Sequence, residues 1–157
     1  MRVSIDTVAF SPEQELASFA RDGEVGAMAS FVGYCRARSG GRAVDRLELE
    51  HYPGFTDAVV RGLADSVFRK HDLVDLLVVH RVGAIAAGEA IVLVAALSAH
   101  RAAALAAVSE LMDHLKTEAP IWKKEIGGSG AVWIEPTAED RRAAAGWKNV
   151  SSEGMQS

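Results

Sequence analysis

At 157 residues, 49% of them hydrophobic, the chain has the length for one domain with a proper core and is short for two. Its 17 basic and 21 acidic residues give a formal charge of -4, which excludes a general nucleic-acid or anionic-membrane binder, since those need a net or strongly regional cationic excess. A lone cysteine, Cys35, excludes an internal disulfide framework and a cysteine-rich zinc site, and with neither a signal-peptide pattern nor an apolar run of ~20 residues the protein is expected to be cytoplasmic.

In chain order, "RVSIDTVAF" alternates as a strand does, and "SPEQELASFARD" reads as a helix with Ser11 as N-cap, Pro12 at the first helical position and Gln14 completing a capping box. "GAMASFVGYCR" (26–36) is a strand, "ARSGGRA" (37–43) a mobile loop carrying Arg38 and Arg42, and "VDRLELEHY" (44–52) a half-exposed strand. A helix "TDAVVRGLADSVFRKH" follows, then a strand "LVDLLVVHRVG", a turn near "AAG" and the apolar strand 90–98. The longest helix spans 99–118, with a stripe of Leu105, Val108, Met112 and Leu115 toward the core and a polar face of Glu110, Asp113 and His114. Pro120 ends it, and "IWKKEI", "GGSG" and "AVWIE" make a small hairpin. Residues 1–148 are expected to form one domain and 149–157 a disordered tail.

Three places invite a functional reading. His100 and Arg101 occupy a helix N-terminus, where the dipole favours acids; they describe a phosphate or carboxylate site, or else an Arg bridged to a neighbouring acid beside a packed His. Lys116 sits on the flank of the apolar stripe. There desolvation and nearby cations would lower its pKa for proton transfer or attack, while a dipole-complementing, snorkelling lysine is the plainer alternative. Lys123 and Lys124 are consecutive in an extended segment, so only one of them can share a pocket with Lys116, walled by Ile121 and Trp122 with Glu125 on the Lys123 face. Protective lysines on a solvated edge strand are the competing account. Cys35 is either an activated thiol beside Arg36 or a small buried hydrophobe. No closely spaced His/Asp/Glu metal set and no Gly-rich phosphate loop is visible.

"LEHYPGFT" (49–56), "HRVGAIAAGEAIVLV" (80–94), "SAHRAAA" (98–104) and "MDHLKTEAPIWKKE" (112–125), in order, resemble the large, catalytic subunit of molybdopterin synthase, the MoaE family. The resemblance implies an α+β chain with an α/β hammerhead fold and an added small antiparallel β-subdomain. It implies a homodimer within a heterotetramer, each large subunit carrying a small ubiquitin-like sulfur-carrier subunit with a C-terminal Gly-Gly thiocarboxylate. The implied reaction is dithiolene formation on cyclic pyranopterin monophosphate, with no metal and no cofactor. The family's pocket lysines fall on Lys116 and Lys123, and its substrate contacts on Phe31, Arg36, His100, Arg101, Met112 and Glu125. Lys116 is then the expected acid/base or nucleophile and Lys123 the electrostatic partner, with the roles exchangeable. Where some members carry an arginine, this chain has Thr137, with Arg141 and Arg142 nearby. His100, Arg101 and Arg36 are expected to share one bound phosphate. A non-catalytic adaptor for a ubiquitin-like tail, or a phosphate-ligand hydrolase or transferase, are the alternatives.

Overall fold

The computed structural model describes residues 1–19 and 23–153. β1 (Arg2–Asp6) leads to α1 (Pro12–Ser18), then β2 (Ala27–Tyr34), β3 (Arg38–Ser39), β4 (Arg42–Ala43), β5 (Arg46–His51) and α2 (Phe55–Lys70). β6 (Asp75–Arg81), β7 (Gly83–Ala86), β8 (Ala90–Ser98), α3 (Arg101–Glu118), β9 (Ile121–Gly127), β10 (Gly130–Ile134) and α4 (Ala138–Glu153) complete the chain.

One four-stranded sheet has the order β1-β6-β8-β2, with β1 parallel to β6 and the other pairs antiparallel. Its inner strands are apolar without alternation because both faces are covered. The side-chain period of two sorts them. Leu76, Val78, Val92, Val94 and Ala96 face a core completed by Val60, Ala64 and Val67 of α2 and Ala104, Ala107, Val108, Leu111 and Leu115 of α3. Leu77, Val79, Leu93, Ala95 and Leu97 face the other side, against Phe19, Phe10 and Leu16 around α1. The second sheet, β10-β9-β5-β7, is antiparallel throughout and is the added β-subdomain.

Several elements depart from expectation. The strand read across residues 73–83 breaks at Val82, and Gly83, at φ +80, turns β7 into the second sheet. Residues 37–43, read as a loop, form a short hairpin of β3 and β4, because Gly40 and Gly41 have φ of +55 and +78, the two positive values a tight two-residue turn demands. Its far side is closed tightly against β9, where a Cβ at Gly127 would lie 2.1 Å from the Ala43 carbonyl oxygen. Ser11 caps α1 as expected, accepting the Gln14 amide at 3.3 Å, but its hydroxyl donates to Glu13. On α3, Leu105 is 61% exposed, whereas Glu110 and His114, expected on the polar face, are buried. The chain beyond the hairpin was not read as helical, yet α4 packs on α3 and runs through residues 149–153 of the expected tail; 154–157 lie outside the described residues. Among the described residues no helix is long and apolar enough to cross a membrane.

Candidate active site

α3 stops at Ala119, which takes the extended backbone that Pro120 imposes on its predecessor. The turn is fastened by the Thr56 hydroxyl, which donates to the Pro120 carbonyl at 3.2 Å while accepting the Tyr52 amide at 3.1 Å. β9 therefore starts beside the last turn of α3 and lies between β5 and β10. The result is a cleft of about 640 Å³ with Lys123 and Glu125 from β9, Lys116 from α3, Arg36 from the end of β2, and Thr137 and Asp140 at the start of α4.

Register decides which lysine enters. Lys123 pairs with Leu49 and Ile134, placing it on the inward face, while Lys124 pairs with Glu48 and Trp133 on the opposite one. There Lys124 contacts Glu48 at 3.4 Å and lies 5.0 Å from the centre of the Trp133 ring. Burial pushes the Lys123 pKa down, the charges of Lys116 and Arg36 push it further, and Glu125 opposes them. His80, on β6, is pushed down to about 4 by burial, so it adds no cation at neutral pH.

Lys116 does not meet its expectation of a desolvated amine. Its side chain is 58% exposed, and Nζ lies 2.7 Å from Asp140 Oδ1. The other Asp140 oxygen accepts from the Thr137 amide at 2.8 Å and hydroxyl at 2.9 Å, and the Asp140 amide returns a bond to the Thr137 hydroxyl at 3.1 Å. The Lys116 hydrogen bond, then the Thr137 amide, hold the Asp140 carboxyl down to about 2. Asp140 was missed in the sequence although the pattern Thr137-x-x-Asp140 before "RRAAA" is a helix-start signature. Thr137 thus serves as a helix cap, and of the two nearby arginines Arg141 lines the cleft.

Glu125 is buried and accepts from Arg42 at 3.0 Å, tying the β3–β4 hairpin to the cleft wall. Arg42→Ala leaves that carboxylate without its ion-pair partner and is expected to cost about 1–3 kcal/mol. Urea unfolding measures the loss, and hydrogen exchange at residues 38–43 should accelerate with it. Cys35 is 2% exposed and burial raises its thiol pKa, which selects the small buried hydrophobe over the activated thiol.

Arg36, Lys116, Lys123 and Glu125 are thus brought together, whereas Phe31, His100, Arg101 and Met112 do not line this cleft. Phe31 is 43% exposed on β2, and Met112 packs at the margin of the core. His100 caps α3 without a side-chain bond, and the first turn holds no acidic residue, so the cationic helix start stands as read. Yet 16 helical steps of about 1.5 Å put His100 about 24 Å from Lys116. The length of α3 therefore keeps His100 and Arg101 apart from the cleft within one chain, so a phosphate shared with Arg36 requires cations from two chains, an arrangement the sequence left open.

The family model described as MoaE protein matches residues 5–118. A molybdopterin synthase catalytic subunit from Caulobacter vibrioides is 49% identical over 148 residues, 94% of this chain and 97% of that protein. The solved molybdopterin biosynthesis MoaE protein from Burkholderia ambifaria is 39% identical with a TM-score of 0.77, covering 93% of this chain and 97% of that one. A molybdopterin synthase structure from Staphylococcus aureus is 28% identical with a TM-score of 0.78, covering 87% and 99%. With its helix-covered sheet, its added β-subdomain and this agreement along nearly its whole length, the chain belongs to the MoaE family.

Proposed function

We propose that this chain is the catalytic subunit of a cytoplasmic molybdopterin synthase. It converts cyclic pyranopterin monophosphate to the dithiolene product using the C-terminal thiocarboxylate of a small ubiquitin-like carrier. The observation that carries the reading is Lys123, half-buried with a pKa lowered by burial and by Lys116, at the wall of a cation-lined cleft. Sulfur transfer from a thiocarboxylate needs fixed positive charge for anionic sulfur and oxygen, together with a group that gives up its proton more readily than an ordinary lysine. Lys123 fits the acid/base role better than Lys116, the exchange of roles that the sequence left open. Lys116 and Arg36 supply the standing charge. Trp122 lines both the cleft and a shallow pocket of about 330 Å³ with Tyr52 and Trp133, an apolar approach suited to a carrier's extended tail. Single-turnover conversion of the cyclic phosphate by this chain and thiocarboxylated carrier tests the proposal; binding of the carrier without product would leave the adaptor reading, and hydrolysis without sulfur transfer the phosphate-ligand one.

His100 and Arg101 reach the substrate from a second copy in this proposal. β2 is one of the two edge strands of its sheet, starting beside Ser98 near the head of α3 and ending just before Arg36 at the cleft. Two copies joined edge to edge with their β2 strands antiparallel would bring the α3 N-terminus of one toward the cleft of the other. Mixing and reassociating Lys123→Ala with Arg101→Ala chains should then recover about a quarter of wild-type turnover, since random pairing makes half the dimers mixed and each has one intact site of its two. No recovery, with mixed dimers demonstrated, would mean that Arg101 acts within its own chain.

A further inference from the structure

We propose that Asp140 is a positioning residue for the sulfur-transfer reaction, holding the Lys116 ammonium at the cleft wall through its fixed carboxylate; this rests on the function proposed above. A lysine that is 58% exposed has four rotatable bonds and would spread its charge over a wide arc of solvent. Asp140 removes that freedom. One carboxylate oxygen is 2.7 Å from Lys116 Nζ, and the other is fastened to the amide and hydroxyl of Thr137, so the anion cannot swing away with its partner. The two side chains come from α3 and α4, 24 positions apart, and both line the cleft. The ion pair is poorly placed as a stability device, since a partly exposed pair contributes little. It is well placed to fix a charge. The held cation lies close enough to Lys123 to depress its pKa, alongside Arg36, while Glu125 opposes; Cys35 and His80 are further titratable groups that interact with Lys123.

Asp140→Asn, Lys116→Ala and the double variant, assayed by single-turnover sulfur transfer with thiocarboxylated carrier, test the assignment. Asp140→Asn should lower the rate about 10- to 100-fold, the scale of one charge-assisted hydrogen bond, with carrier affinity within about threefold. In the Lys116→Ala background it should add nothing, because the group it positions is gone. The pH profile supplies a readout that a structural role would leave in place. If neutral Lys123 takes the proton, freeing the Lys116 cation that depresses its pKa lets that pKa rise, so the limb rising with pH should move to higher pH while the plateau falls. An undiminished loss in the Lys116→Ala background, or a lowered plateau with an unmoved limb, would overturn the inference and assign Asp140 to holding α4. A near-normal rate for Asp140→Asn beside a large loss for Lys116→Ala would overturn it too, with the enzyme reading intact. Near-normal rates for Lys116→Ala and Lys123→Ala together would remove both readings.

Discussion

Lys123→Ala is expected to lower single-turnover sulfur transfer by about 10²-fold or more, the scale of a lost acid/base group, while Lys124→Ala stays within about threefold of wild type. The contrast follows from β9, since adjacent residues of a strand face opposite ways. Lys123 turns inward beside Lys116, and Lys124 turns out to Glu48 and Trp133. Lys123→Arg is expected to fail as well: a guanidinium keeps the charge but stays protonated across the accessible pH range, so it replaces the electrostatics and not the proton exchange. Because the Lys123 pKa is lowered, the wild-type rate should rise with pH through a value below that of an ordinary lysine. Equal losses at Lys123 and Lys124, read in the same assay with matched carrier, would reduce the cleft to a diffuse cationic surface. Full rescue by arginine would confine Lys123 to electrostatics.

The framework of this site was legible because its signals are local. The unbroken apolar run of β8, the Pro120 stop, and the consecutive lysines with their opposite faces can each be read from a few neighbouring residues. What escaped depends on partners far away in the chain. Helical spacing placed Lys116 on the flank of an apolar stripe, which suggested desolvation, but the flank opens on the cleft and is met by Asp140 of a helix that was not expected. Lys123 is the more buried lysine because β5 and β10 enclose it, and no pattern within "IWKKEI" states that pairing. Leu105 and Glu110 exchanged their expected places for a related reason. Small alanines at 104 and 107 let α3 sit close to the sheet, while α2 and α4 close over the side that carries Glu110.

That covered carboxylate carries the largest stability effect expected in the molecule. Glu110 is 4% exposed and accepts hydrogen bonds from Lys70 at 2.9 Å, His71 at 2.6 Å and His114 at 3.3 Å. Lys70 also donates to the Trp147 carbonyl at 3.0 Å, and the Trp147 indole donates to Asp113 at 2.8 Å, so the cluster joins α2, α3 and α4. Glu110→Gln removes the charge that balances these donors in a site with little access to water. The expected cost is about 3–5 kcal/mol, the range for breaking a buried pair, and a fall in Tm of about 10 °C or more for a chain of this size. Burial pushes the Glu110 carboxyl pKa up, but the bonds from Lys70, His71 and His114 outweigh it and hold the group below the usual range. A depressed folded-state pKa contributes stability that is complete above the unfolded value, about 4.3, and is lost as pH falls through the folded one. The gap in unfolding free energy between wild type and Glu110→Gln should therefore be widest near neutrality and close in acid; a gap of equal size at pH 7 and pH 3 would mean that packing, not charge, explains it. The same substitution should reach the cleft, because α4 carries Asp140 at its start and Trp147 farther along. Loosening the Trp147 end frees the Asp140 end from Lys116, so sulfur transfer should fall even at temperatures where the variant remains folded.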